Sequence, residues 1–195
     1  MALLDRLVQR PPSPILRGKT VWLRPPQPVD WEPWARLRGE SRAFLTPWEP
    51  AWPADALSQT AFRQRLRRQL QDARDDLSYA FFIFRQDDDE LLGGITLANV
   101  RRGVVQSASV GYWIGERYVR RGYMRGAVAV VIRQSFEELR LHRLEAACLP
   151  TNHASLGLLR AVGFRDEGYA RKYLCINNVW QDHVLLALLA SDPRV

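Results

Sequence analysis

Residues 106–149 change folding period twice within one continuous stretch. Gln106 to Ile114 reads as a strand, and Ala127 to Leu139 repeats apolar residues at helical spacing. Arg143-Leu-Glu-Ala-Ala-Cys-Leu149 is a second strand. A strand, a helix and a strand at this spacing form a βαβ crossover, whose strands lie parallel and whose connection is right-handed. The join is Gly111-Tyr-Trp-Ile-Gly-Glu-Arg-Tyr-Val-Arg-Arg-Gly122-Tyr-Met-Arg-Gly126, a basic, glycine-containing turn from which the helix opens directly. Such a helix end presents N–H groups without intrahelical partners and the positive end of the macrodipole. Arg120, Arg121 and Arg125 add three cations. The combination predicts an anion cradle, suited to the pyrophosphate of a nucleotide-like cofactor.

The remaining chain supplies strands and helices to pack around this unit. Pro11, Pro12 and Pro14 mark residues 1–17 as an arm and extended lead-in, with residues 18–191 as a single domain. Thr20 to Arg24 alternates as a first strand, and Asp30 is placed to cap a helix over Trp31 to Glu40. Pro47, Pro50 and Pro53 stiffen the loop that displays Trp48, Glu49 and Trp52. That loop is either a packed connector or a wall for a cationic amine. Asp55 is the expected cap of a helix running to about Asp72, with Arg63, Arg65, Arg67 and Arg68 forming a solvated face. A meander follows over Tyr79–Arg85, Leu91–Val100 and Gln106–Ile114, where Gly93-Gly94 suggests a bulge. Past the crossover, Pro150 starts a helix that Gly163 ends, and Phe164–Leu174 and Asn178–Leu189 form a hairpin turning at Asn177-Asn178.

Composition narrows the chemistry. The net charge of +7 comes from 28 basic and 21 acidic residues, and it favours acidic partners such as a phosphorylated cofactor, RNA or a ribosomal surface. A high-GC genome, which encodes arginine where others encode lysine, would produce the same excess. Cys148 and Cys175 lie in apolar runs and read as buried, reduced thiols rather than a disulfide. His142, His153 and His183 lack metal-ligand spacing, so no metal is expected. No apolar run reaches the roughly 20 residues of a membrane span, and Met1 to Leu7 is unlike a signal peptide.

Seven motifs in register then point to a family: Phe44-Leu-Thr-Pro-Trp-Glu-Pro50, Gly111-Tyr-Trp-Ile-Gly115, Arg121-Gly-Tyr-Met124, Asn152-His-Ala-Ser155, Ala161-Val-Gly-Phe164, Glu167-Gly-Tyr-Ala170 and Trp180-Gln-Asp-His-Val184. The chain resembles the GNAT N-acetyltransferase superfamily, and within it the ribosomal-protein alanine acetyltransferases of the RimJ/RimL type, the RimJ branch in particular. The resemblance implies an α/β (α+β) fold with a central mixed sheet of about seven strands, a splayed parallel pair and about four flanking helices. It implies acetyl-CoA as donor, a primary amine as acceptor and a cytoplasmic location. The family's pyrophosphate pattern Q/R-x-x-G-x-G/A falls on Val119-Arg120-Arg121-Gly122-Tyr123-Met124. Val119 and Met124 depart from it, which main-chain recognition of phosphate tolerates if Met124 turns its side chain away.

The resemblance also assigns roles. Trp113 and Ile114 would present backbone groups to the pantetheine arm. Arg120, Arg121, Gly122, Tyr123, Met124, Arg125 and Gly126 would form the phosphate loop. Asn152 is either a cofactor-side asparagine or a helix N-cap, and it can be both. Many superfamily members place a tyrosine as general acid seven positions later, where this chain has Leu159. Ser155 is then the candidate donor to the leaving sulfur, or a capping serine. Glu49 is the candidate base or amine anchor, with Trp48 and Tyr112 lining the acceptor side. Glu116 and Glu167 are weaker alternatives, Glu167 being better suited to fix the final hairpin. The implied acceptor is the N-terminus of a ribosomal protein, in a monomer or homodimer that could touch the ribosome or RNA through its arginines. A small-molecule amine acetyltransferase and a non-catalytic CoA- or ribosome-binding module are the rival readings.

Overall fold

In the computed structural model, which describes residues 15–193, eight strands form one mixed sheet. In chain order they are β1 (Leu16–Arg17), β2 (Val21–Arg24), β3 (Tyr79–Arg85), β4 (Leu91–Arg101), β5 (Ser107–Ile114), β6 (Arg143–Cys148), β7 (Arg165–Ile176) and β8 (Val179–Leu189). The helices are α1 (Trp31–Glu40), the short α2 (Arg42–Leu45), α3 (Gln59–Arg74), α4 (Tyr123–Arg133) and α5 (His153–Ala161). The spatial order is β1-β2-β3-β4-β5-β6-β8-β7, and β5–β6 is its parallel pair. The strand beyond the expected seven is the two-residue β1, which pairs Leu16 with Leu23 inside the stretch read as a lead-in. Residues 1–14 of that arm lie outside the described residues.

The core is built where the sheet meets its helices. Strand β3 is apolar on both faces because α1 and α3 cover one side and α4 the other; Ile83, Leu92 and Leu144 have no exposed surface. Full burial of each such side chain stabilises by roughly 1.5–3 kcal/mol. Helix α4 presents Ala127, Val128 and Val131 to the sheet at three- and four-residue steps. Its final turn, Gln134–Glu138, widens to π geometry. The buried Ser135 hydroxyl donates to the Val131 carbonyl at 2.7 Å, while Leu139 N reaches Gln134 O at 3.0 Å. A serine that bonds back to the preceding turn loosens the regular ladder in this way.

Several local expectations change. The cap of α3 is Ser58, whose Oγ accepts from Ala61 N at 3.1 Å, so the helix starts later than an Asp55 cap implies. Asp30 does sit before α1, but its carboxylate binds Arg24 at 2.6 and 2.7 Å and accepts from Gln27 N, so it caps no α1 amide. The irregularity between β3 and β4 skips Leu92 rather than falling on the glycine pair. Gly93 and Gly94 answer a different need. A Cβ on Gly93 would lie 2.3 Å from the Trp113 carbonyl oxygen, and one on Gly94 2.6 Å from its indole nitrogen. Cys148 is buried and Cys175 exposed, both as free thiols, so only one of the two has the burial expected of it. The β7–β8 turn falls on Asn177-Asn178 as expected, with φ of 45° and 65°, the left-handed conformations of a type I′ hairpin.

Candidate active site

The parallel pairing of β5 with β6 covers three residues, from Ser107↔Arg143 to Ser109↔Glu145. Beyond that point β6 keeps β8 as its partner and β5 keeps β4, so the two strands part. The edge of β5 from Gly111 to Ile114 that faces the gap carries backbone groups outside this pairing. Trp113 and Ile114 lie on it, where a chain of amides could dock as an added strand.

Helix α4 begins at the same end of β5. Gly122 is its N-cap, with φ of 81° in the left-handed region that glycine adopts without penalty. A Cβ there would meet no atom within 4 Å, so the backbone conformation, not crowding, requires glycine. The first intrahelical bond after it is Gly126 N to Gly122 O at 3.0 Å, which leaves the amides of Tyr123, Met124 and Arg125 directed out of the helix end. Arg120, also left-handed at φ 59°, and Arg121 and Arg125 are exposed around it. Met124 is buried at 6% exposure, so its side chain enters the core and leaves the turn open. The turn at residues 119–126 thus presents exposed amides and guanidinium groups of the kind that can bind an anion.

Across the gap stands α5. Asn152 is its N-cap, and its Oδ1 accepts from Ser155 N at 3.1 Å. The capping role is therefore real, and it holds Ser155 at the helix start. The Ser155 hydroxyl shares a 2.8 Å hydrogen bond with the Tyr112 hydroxyl from β5. Burial pushes the Tyr112 phenol up to about 12, which its bond to Ser155 only partly offsets. Leu159, at the position where a tyrosine was the family alternative, is buried in the core. A tyrosine hydroxyl still reaches this place, but from the strand rather than the helix. Cys148, at the end of β6, lies in the same cluster with Sγ 3.8 Å from Asn152 O. Burial raises its thiol above the usual range, so it is a poor nucleophile near neutral pH. Sequence reading missed its placement, although the Cys148-x-x-x-Asn152 spacing at a strand-to-helix turn was visible.

A cleft of about 420 Å³ opens between β3–β5, α3 and the proline-rich loop, the candidate wall for an amine. Glu49 lines it, but not as a free carboxylate. Arg38 from α1 binds it in bidentate fashion at 2.6 and 2.8 Å, and Trp52 Nε1 donates to it at 2.8 Å. The Arg38 guanidinium sits 4.2 Å from the Trp52 ring and 4.8 Å from the Trp113 ring, and Gly94 makes room for that second indole. The Glu49 carbonyl also accepts from Asn177 N of the hairpin turn at 2.9 Å. The loop is therefore both a packed connector and a wall. Trp52 lines the cleft, whereas Trp48 sits half-buried in a 3-10 turn away from it. Tyr112 lines the cleft and bonds Ser155, which joins the cleft to the start of α5. Glu116 and Glu167 lie outside it, and Glu167 pairs with Arg143 of β6 to tie the final hairpin down.

The described geometry has known counterparts. The Acetyltransferase (GNAT) domain family matches residues 20–165, three quarters of the chain. The chain belongs to the GNAT acetyltransferase family. Among its GNAT relatives, the Probable N-acetyltransferase YjcK of Bacillus subtilis (strain 168) is 36% identical over 180 residues, covering 92% of this chain and 99% of that one. The [Ribosomal protein uS5]-alanine N-acetyltransferase of Escherichia coli (strain K12) is 35% identical over 153 residues, covering 78% and 79%. Of solved GNAT structures, the ribosomal-protein-S5-alanine acetyltransferase of Vibrio fischeri superposes with a TM-score of 0.85 at 30% identity over 91% of this chain and 97% of that one. Mycobacterium smegmatis RimJ in complex with CoA-disulfide gives 0.84 at 33% identity over 91% and 86%. The protein is thus an N-acetyltransferase enzyme, and the expected resemblance to RimJ is borne out. Among the described residues no helix is long and apolar enough to cross a membrane.

Proposed function

We propose that the protein transfers acetyl from acetyl-CoA to the α-amino group of a ribosomal protein in the cytoplasm, by direct attack within a ternary complex. The observation that carries this reading is the alignment of three features along β5: the glycine-capped α4 terminus, the strand edge exposed where β5 leaves β6, and the acceptor cleft reached through Tyr112. Acetyl-CoA fits the first two, since a pyrophosphate suits the Gly122–Gly126 amides and arginines, and pantetheine amides suit the Gly111–Ile114 edge. Bound there, it supplies an activated thioester; the acceptor amine enters from the cleft.

The chain's own residues then have separable tasks. An α-amino group has a pKa of roughly 8, so a useful fraction is neutral near physiological pH and no strong base is needed. Glu49 Oε1 accepts one Arg38 N–H and keeps a lone pair for an amine N–H, which makes Glu49 an anchor that orients the nucleophile. As the amine nitrogen bonds the acetyl carbon and the carbon–sulfur bond breaks, the proton shed by that nitrogen passes through solvent to the leaving thiolate, and Ser155, held by the Asn152 cap and by Tyr112, donates a hydrogen bond toward the departing sulfur. A tyrosine at about 12 is a weaker acid than a thiol of about 8.5, so the Tyr112–Ser155 pair acts by hydrogen bonding to developing charge rather than by giving up a proton. Holding the two reactants in one cleft supplies most of the acceleration.

The direct test is intact-mass analysis of purified ribosomal proteins after incubation with enzyme and acetyl-CoA. One protein should gain a single acetyl group at its N-terminus. Turnover confined to free small amines would refute the ribosomal-protein reading. A Gly122→Trp variant should lose CoA binding by calorimetry, and unchanged affinity would refute the cradle.

A further inference from the structure

We infer that Arg65, with Gln69 one helical turn later, makes this enzyme select acceptors whose N-terminal segment carries a carboxylate beside the amine. The inference rests on the reading of the cleft as the acceptor site. Its charged lining is Arg38, Glu49 and Arg65. Arg38 and Glu49 neutralise each other in their bidentate pair. Arg65 is left as the uncompensated charge, with no ion pair among the described residues. Its guanidinium lies 5.1 Å from the ring of the buried Trp34, which positions it without neutralising it. Desolvation in the cleft and the nearby Arg38 both push the Arg65 pKa down, while Glu49 opposes them, as expected for a cation in a net-positive site.

Gln69 lies at i+4 from Arg65 on α3, so both side chains project from one face of that helix. Its Oε1 is buried and has no donor among the described residues. A buried acceptor without a donor costs free energy unless a ligand supplies one. A peptide main-chain N–H is such a donor. The complementary acceptor therefore offers an amine toward Glu49, an N–H to Gln69 Oε1 and a carboxylate to Arg65. A polyamine would meet an unpaired arginine instead. This assignment also removes Arg65 from the solvated face that its neighbours Arg63, Arg67 and Arg68 share.

The test uses the full-length enzyme, acetyl-CoA and three Ala-initiated peptides that differ only in carrying Asp-Asp, Asn-Asn or Lys-Lys at positions two and three. Thiol release should give kcat/KM in the order Asp, Asn, Lys, with steps on the order of fivefold to tenfold that shrink as salt is raised. Arg65→Glu should invert the order and Arg65→Lys should keep it, with a cooperative thermal melt showing that both variants are folded. Equal rates on all three peptides, or an order unaltered in Arg65→Glu, would overturn the inference while leaving peptide acetylation intact. No turnover of any peptide would overturn both that reading and this inference.

Discussion

Replacing Glu49 with glutamine tests whether the Arg38–Glu49 pair holds the cleft wall, because the pair predicts a stability cost beside any loss of rate. Arg38 is held at 9% side-chain exposure by two indole rings and by two short bonds to Glu49, whose side chain is 19% exposed. Its Nε already has no hydrogen-bond partner among the described residues. In Glu49→Gln the guanidinium keeps one acceptor oxygen and faces an amide NH2 that donates toward its own donors. Breaking a fully buried pair costs about 3–5 kcal/mol, and the residual exposure of Glu49 reduces that to about 2–3 kcal/mol. For a chain of this size each kcal/mol moves Tm by about 2–4 °C, so the variant should melt about 5–10 °C lower. Chemical denaturation should show the same loss with an unchanged m-value. The double variant Arg38→Met/Glu49→Gln should recover part of the stability, since it leaves no buried charge, yet stay impaired in kcat/KM. A Glu49→Gln protein that melts within about 1 °C of wild type would refute the argument that this pair holds the cleft wall.

Further outcomes follow from the same geometry. Gly93→Ala drives a Cβ to 2.3 Å from the Trp113 carbonyl, a backbone atom with little room to give, so β4 and β5 must shift. Denaturant titration should show a loss of about 1–3 kcal/mol, and an unperturbed protein would contradict the packing described. Tyr112 has its folded pKa raised from 10.0 to about 12, so above pH 10 the unfolded chain gives up a proton that the folded one keeps. Stability should therefore fall between about pH 10 and 12, by on the order of 3 kcal/mol from this group. Tyr112→Phe should reduce that alkaline slope, with Tyr118, also pushed by burial up to about 12, accounting for part of the remainder. Ser58→Ala should cost about 1 kcal/mol through loss of the α3 cap, measured by thermal melting, with kcat/KM on a neutral peptide unchanged.

How much of this was legible in the sequence depended on how far apart the partners lie along the chain. The crossover, its basic turn and the Asn152 cap follow from neighbouring residues: helical and strand periods, a glycine where φ must be positive, and a side chain bonding an amide three residues on. The same local rules misplaced the α3 cap, since Asp55 and Ser58 are both good caps and only the packing of the loop chooses between them. Trp48 and Trp52 were likewise equivalent in a string of aromatics and prolines, until Glu49 and Arg38 drew one of them into the cleft.

The basic turn and strand edge proposed to hold the donor are readable from residues 106–126 alone, because a helix end and a strand edge are properties of contiguous backbone. The cleft proposed for the acceptor depends instead on packing between distant segments. The Tyr112–Ser155 bond spans 43 residues of chain, and the Arg38–Glu49 pair depends on indoles contributed by a loop and by β5. Arg65 is indistinguishable by pattern from the arginines beside it, and reaches the cleft only because α3 packs over it. Contacts of that kind are fixed by which faces are buried together, and the pattern within a single segment cannot report them.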